Sequence, residues 1–351
     1  MDVGKANRLA GRGTVESSRR KPTIKHIAEA AGVHPSTVSR ALNGLPESRI
    51  PQETVDRIHK AAAELRYEPN PWAQSLRTKR AMMIGMAIPR FTDYVLAQMF
   101  EAAQIRAMKF GYHTLTAGAE VGGVDNVAIK GLIDRRIDGL ILATAKIHDQ
   151  YLPEIERRGV PFVLLNRKSA DYPGVTGDDE VGGYLATRHL IDQGHTRIGH
   201  ISGPTDVSTA LNRACGYRRA MAEANLPVHS ELIQQGTFDA DSAGRAAANL
   251  LNLPVRPTAI FAVNDISALA AMSVARQCGL TIPEDLAVVG YNDSEVSSLL
   301  PIPLTSVRVS LQEMGSAAVD LLLALMNGET VESVVKAPQL IPRQSSVLSR
   351  S

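Results

Sequence analysis

Cysteine is scarce in this chain, with Cys215 and Cys278 among 351 residues, and the two show neither metal-ligand nor redox spacing. They suit a reducing cytoplasm and read as small buried side chains. Aromatic residues make up only 4%, with Trp72 the single tryptophan. The opening stretch "MDVGKANRLAGRGTVESSRRKP" has no apolar run of the length that a signal peptide or a membrane span needs, so residues 1–20 are expected to form a basic tail. No G-x-G-x-x-G follows a strand, no Walker motif occurs, and none of the nine histidines has the H-E-x-x-H spacing. His195 and His200 in "GHTRIGH" flank a strand start and read as surface and structural groups. These absences argue against a catalyst: no catalytic residue, metal ligand or cofactor is expected, and no membrane partner.

What the chain does have is a division of charge. Its net charge of +2 hides 15 Lys+Arg against 8 Asp+Glu in residues 1–80 and 23 against 28 in the remainder. A basic end on an acidic body suggests a nucleic-acid-binding head on a body that does not bind it. The length predicts two or three compact units, and 44% apolar with 21% charged residues is ordinary for a globular protein.

From Thr23, a candidate N-cap, Ile24, Ile27, Ala28 and Ala31 recur at helical spacing, and Gly32 is a candidate stop. In "VHPSTVSRAL", His34 falls at an N-cap, Pro35 suits the first turn of a second helix, and Val38 and Leu42 supply its inward face. A third segment, "QETVDRIHKAAAELRY", puts Val55, Ile58, Ala62 and Leu65 on one stripe. Three short helices can share a small core, which leaves Pro35, Ser36, Ser39 and Arg40 on an outer face free to enter a major groove.

"TIKHIAEAAGVHPSTVSRALNG" followed by "LRYEPNPWAQSLRTKR" resembles the DNA-binding head of the LacI/GalR repressors. The likeness runs through both helices, the third helix and the segment after it. It implies that Pro35 and Ser36 lie where base edges are read. Arg40 is the residue suited to donate two hydrogen bonds to guanine. Thr23, Thr37, Ser39 and Asn43 would contact or orient toward phosphates. By the same resemblance, residues 70–80, opening at the DNA contact Asn70, order into a hinge helix when two subunits meet over the minor groove. Ala73 and Gln74 would face that groove, and Leu76 stands at the position of a leucine that wedges between base steps. Two residues are added in the "GLPESRIPQ" loop relative to well-known members.

Beyond Arg80 the pattern changes. "MMIGMAIP", "YHTLTAG", "DGLILATA", "PFVLLNR", "RIGHISGP", "TAIFAVND" and "DLAVVGYND" read as buried strands separated mostly by amphipathic stretches, the signature of parallel sheets with helices on both faces. So many strands predict two sheets. The expected fold class is therefore α/β: a three-helix helix-turn-helix head with a hinge helix, then two Rossmann-like subdomains. The resemblance implies that these are similar to periplasmic sugar-binding proteins, with the chain crossing between them three times. Expected boundaries are 1–20 for the tail, 21–69 for the head, 70–80 for the hinge and 81–351 for an effector-binding and dimerisation domain. Within that domain, about 81–165 plus 295–325 form the first subdomain and about 166–294 plus 326–345 the second, with crossings near 166, 295 and 326.

A ligand in such a fold lies beyond the carboxyl ends of the strands. Arg213, in "GPTDVSTALNRACGY" together with Thr209, occupies the position at which the family's arginine holds ligand hydroxyls or a carboxylate. Asn264 and Asp265 end "AVND", and Asn292 and Asp293 end "GYND". Asn166 and Asp178 come from "LLNR" and "GDDE", while Asp93, Val95, Leu96 and Phe238 would complete the wall. Asp and Asn at strand ends also cap helices, and both roles stay open for these residues. The sequence departs from the family at Asn292 and Gly177, where many members have Asp, and at Val95 and Leu96, where aromatic residues are common.

The expected function is a ligand-responsive transcriptional regulator, a repressor that binds a pseudo-palindromic operator as a homodimer. A sugar, nucleoside or sugar acid in the cleft would alter DNA affinity. The dimer interface is expected near residues 82–120, and the chain's end at Ser351 predicts a dimer rather than a tetramer. The alternative is a solute-binding protein, which should carry an export signal and lack the basic head.

Overall fold

The computed structural model describes residues 22–42, 50–67, 80–119 and 126–347, and the chain divides into two compact units between Thr78 and Lys79. The tail (1–20), Asn43, the added loop residues, Asn70, Trp72, Ala73, Gln74 and Leu76 lie outside the described residues. So does the expected hinge helix apart from Arg80.

The head consists of α1 (Ile24–Ala31), α2 (Pro35–Leu42) and α3 (Gln52–Glu64). Thr23 precedes α1 in extended backbone, and its N–H donates to His26 Nδ1 at 3.1 Å. Gly32 stops α1 in the left-handed conformation, φ 63°, where a side chain would be strained. Before α2, His34 Nδ1 accepts from the Ser36 N–H at 3.3 Å, so an imidazole does the capping usually done by a hydroxyl. Ile27, Ala28, Ala31, Val38, Ile58, Ala61 and Ala62 form the core. Arg57 Nε reaches the free carbonyl of Ala31 at 3.2 Å and ties α3 to the end of α1. Leu65 is exposed, contrary to the expected stripe: α3 has ended at Glu64, and Ala61 takes the inward place.

The larger unit is built on two six-stranded sheets. The first contains β1 (Met83–Ile88), β2 (His113–Gly118), β3 (Gly139–Leu142), β4 (Phe162–Leu165), β5 (Gly174–Gly177) and β11 (Val334–Lys336), in the order β11-β5-β4-β3-β1-β2. The second contains β6 (Ile198–Ser202), β7 (Ile233–Gln235), β8 (Ala259–Ala262), β9 (Ala287–Asn292), β10 (Thr305–Arg308) and β12 (Gln339–Ile341), in the order β12-β10-β9-β8-β6-β7. All pairings are parallel except β10 with β12. Side chains alternate along each strand, and each face has its own helical cover. On the first sheet, Ile84, Met86, Ile141 and Val163 pack toward α4 (Tyr94–Lys109) and α12 (Leu311–Met326). Ala87, Leu140, Leu142 and Leu164 pack toward α5 (Val127–Asp134) and α6 (Leu152–Arg157). On the second, Phe261 and Val289 meet α7 (Asp179–Asp192) and α8 (Ser208–Glu223). Ile260 and Val288 meet α9 (Ala240–Leu251) and α10 (Asp265–Gln277), and α11 (Glu295–Leu299) is a short turn beyond β9.

The crossings differ from those expected. The chain leaves the first sheet after β5, near 178, not near 166. It returns between β10 and α12, near 309–310, not 295. It leaves again between β11 and β12, near 337–338, not 326. In each case the strand concerned has no long apolar run to disclose it. "GVTG" is half glycine because a Cβ at Gly174 would press on the Leu164 backbone oxygen and one at Gly177 on Val309. β10, β11 and β12 are three or four residues long.

Candidate functional sites

In the head, α2 buries only Val38 fully, while Ser36 and Arg40 are exposed and Pro35, Thr37 and Ser39 are partly covered. Arg40 Nε makes one long bond to its own helix, to the Ser36 carbonyl at 3.4 Å, and no ion pair with a described residue. Its guanidinium can therefore meet an acceptor outside the chain. Thr23 is exposed beside the N-terminus of α1.

In the larger unit, Asp93, Val95, Leu96, Asn166, Thr209, Arg213, Phe238, Asn264 and Asn292 line one slot between the two lobes. They follow β1, β4, β6, β7, β8 and β9, all at carboxyl ends of parallel strands. Thus nine of the ten expected cleft residues converge. The tenth, Asp178, does not line the slot: its carboxylate accepts from the Val181 N–H at 3.1 Å and caps α7. Its neighbour Asp179 has the inward role instead.

Arg213 is 4% exposed. Its Nε donates to Asp179 at 2.8 Å, its Nη1 donates to the Val263 carbonyl at 2.6 Å, and its guanidinium lies 3.6 Å from the centre of the Tyr291 ring. The residue also lines the slot. Asn264 is also divided between tasks, since Oδ1 caps α10 through the Ser267 N–H at 2.8 Å and Nδ2 donates to the Phe238 carbonyl at 3.1 Å. Asp93 accepts from the Val95 and Leu96 N–H groups and caps α4.

Backbone strain gathers here. Asn166, Phe238 and Asn292 have φ of 58°, 67° and 101°, a region that asparagine tolerates and a bulky phenylalanine adopts rarely. Each sits at or just past the end of its strand, where it lines the slot. Over-determined positions of this kind cluster at ligand sites.

Sequence reasoning missed Arg167, which also lines the slot and is 7% exposed. Its signal was its place next to Asn166 at a strand end. The inner slot is small, about 40 Å³, and it opens past Asp93, Phe238 and Asn292 into an outer chamber of about 500 Å³. Tyr94, Val95, Ile266, Val296 and Leu299 give that chamber apolar walls. Across the cleft, the Lys168 N–H donates to Ser208 Oγ at 2.8 Å and the Ile147 N–H to the Asp206 carbonyl at 2.9 Å. Lys146 pairs with Asp206 at 2.8 Å.

No group of three His, Cys, Asp or Glu among the described residues is arranged to hold a metal. No described helix is long and apolar enough to cross a membrane.

The profile of bacterial regulatory proteins of the lacI family matches residues 23–70, and that of a periplasmic binding protein-like domain matches residues 187–346. The HTH-type transcriptional repressor PurR of Aliivibrio salmonicida is 33% identical over 331 residues, covering 92% of this chain and 98% of its own length. The repressor of the same name from Aliivibrio fischeri is 34% identical over 338 residues, covering 93% and 99%. Among solved structures, the lac repressor dimer bound to operator and the anti-inducer ONPF is similar with a TM-score of 0.85 at 30% identity, covering 94% of this chain and 100% of that one. The transcriptional regulator CelR in complex with cellobiose gives 0.70 at 31% identity, covering 92% and 99%.

Proposed function

The chain belongs to the lacI family of bacterial regulatory proteins, and we propose that this ligand-responsive, DNA-binding regulator acts as a repressor whose slot between the lobes binds the effector. The observation that carries the reading is the convergence of nine polar and apolar residues from six strand ends on one slot. In this reading α2 enters the major groove, with Pro35, Ser36 and Arg40 at base edges and Thr23, Thr37 and Ser39 near phosphates. Asn43, Asn70, Ala73, Gln74 and Leu76 complete the DNA contacts. The working form is a homodimer on a pseudo-palindromic operator in the cytoplasm. Phe91, Ile105, Met108 and Phe110, all exposed apolar side chains within residues 82–120, supply a surface for the second copy.

The effector is a sugar, nucleoside or sugar acid. Arg213, Asn166, Asn264, Asn292 and Asp93 orient it, and Thr209, Val95, Leu96 and Phe238 bound it. By linkage, an effector that favours one relation of the lobes changes operator affinity by the factor by which operator changes effector affinity.

Selection of bound sequences from a random DNA pool tests this reading. A palindrome should be enriched, and Arg40→Ala should cost about 1–3 kcal/mol on it and relax one base position. Lack of enrichment, with tight ligand binding by the larger unit, would instead favour a solute-binding protein.

A further inference from the structure

Almost every carboxylate of the cleft already has a partner. Asp179 is held by Arg213, and Asp93 and Asp239 cap α4 and α9 through backbone N–H groups. Asp265 takes hydrogen bonds from Ser294, Ser297 and Ser306. Glu295, at the outer rim, is exposed to water.

Arg167 is different. Its Nη1 donates to the carbonyl of its neighbour Asn166 at 2.7 Å, its buried Nε has no acceptor, and it forms no ion pair among the described residues. Burial lowers its pKa to about 10, with Asp93 opposing that shift and Arg213 adding to it. The group is therefore a buried cation throughout the physiological range. Asp93 and Asp179 act on this charge only at a distance, and a buried guanidinium with an unsatisfied N–H and no direct ion pair weakens a fold, a cost that a ligand relieves by bringing an anionic acceptor to it. The planar guanidinium fork matches carboxylate and phosphate oxygens two at a time. The inner slot, about 40 Å³, is the narrow end of the cleft and the adjoining chamber, about 500 Å³, the wide one, so a compact head group at Arg167 leaves the larger part of a ligand to the chamber.

From this geometry, and resting on the effector-site reading above, we infer that the cleft takes an anionic effector whose carboxylate or phosphate monoester seats on Arg167 in the inner slot. Its body then lies in the outer chamber against Tyr94, Val95, Phe238 and Ile266. The neutral members of the effector classes named above would bring Arg167 no directly bonded anion.

Thermal unfolding of the full chain tests this with the head groups alone: sodium phosphate and sodium acetate, each against sodium chloride at matched ionic strength. In the wild type, one of the two anions should raise the melting temperature saturably, and which one does so identifies the head group. Arg167→Lys should keep a weaker version of the response, and Arg167→Gln should lose it. Without anion, Arg167→Gln should melt about 3 °C above the wild type, because the buried guanidinium with its unsatisfied Nε–H is gone. A wild type that responds to neither anion beyond chloride overturns the inference, as does an Arg167→Gln variant that responds equally. Operator titration separates this from the regulator reading. Anion stabilisation without any change in operator affinity leaves the subsite standing and removes its link to DNA. Operator affinity that responds to neutral sugars alone, with no anion response, upholds regulation and removes the subsite.

Discussion

His200 lies fully buried in β6 with its ring stacked between Tyr217 and Phe261, at centroid distances of 5.1 and 4.8 Å. Its Nδ1 meets the Phe261 carbonyl at 2.9 Å, and a carbonyl can only accept, so the proton is on Nδ1 and the buried Nε2 has none. Desolvation depresses the pKa to about 4. On acidification the unfolded chain takes up this proton near the ordinary value of about 6.5, whereas the folded chain refuses it until about 4. Stability is therefore lost as pH falls from about 6.5 to 4, by up to about 3 kcal/mol. Urea titrations should show that slope in the wild type and a flatter one in His200→Phe; equal slopes would mean other groups carry the acid sensitivity. Arg213 presents a second residue-scale case. Both it and Asp179 are about 4% exposed, so Arg213→Ala strands a buried carboxylate and should cost about 3–5 kcal/mol, while the double change Arg213→Met with Asp179→Leu should recover much of it. Effector binding should be lost in both variants, which separates the residue's two roles.

At the scale of elements, the sequence was readable where one physical demand dominated. Strands such as "GLIL" and "FVLL" are buried on both faces, so unbroken apolar runs disclose them. Strand ends in turn disclose the cleft, because the loops that follow successive parallel strands gather at the carboxyl edge of each sheet. Reading failed where packing asks for the absence of a side chain. β5 was missed for its glycines, and the pair Asp178–Asp179 could not be sorted because one residue of offset along a helix start decides between capping and pairing. The same demand makes a prediction at α7 and α8. A Cβ on Gly183 would overlap the Arg213 carbonyl, and one on Gly216 the Glu180 carbonyl, so these helices approach backbone to backbone. Gly183→Ala should cost about 3 kcal/mol in chemical denaturation, since helical backbone cannot yield as a side chain can. Gly131 in α5 is the control: a Cβ there would meet only the flexible end of Arg135, so Gly131→Ala should be neutral or stabilise by up to about 1 kcal/mol.

At the scale of the larger unit, two sheets joined by three strands of chain form a hinge, and the groups beside the crossings show how it is held. Asp293 pairs with Arg308, just before the second crossing, and with Arg343, just after the third, both at 2.6 Å. That grip lies on one lobe and leaves the lobes free to turn. What holds them closed is the set of contacts across the cleft, and their energies are unequal. The Lys146–Asp206 pair is partly exposed and contributes at most about 0.5 kcal/mol. The bond from the Lys168 N–H to Ser208 Oγ is half-buried, with Ser208 6% exposed and Lys168 at the surface, and its loss costs about 1 kcal/mol. Ser208→Ala should therefore shift the closed-to-open ratio about fivefold toward open and weaken any effector that needs the closed form by the same factor. Hydrogen exchange reads this without knowledge of the effector. The amide of Ile147, whose acceptor across the cleft is the Asp206 carbonyl, should exchange about fivefold faster in Ser208→Ala, and Lys146→Ala should change it little. Unchanged exchange in Ser208→Ala would mean that closure rests on the Ile147–Asp206 backbone bond and on the fit of the slot itself, and the effector would then act by filling the slot rather than by tipping a latch.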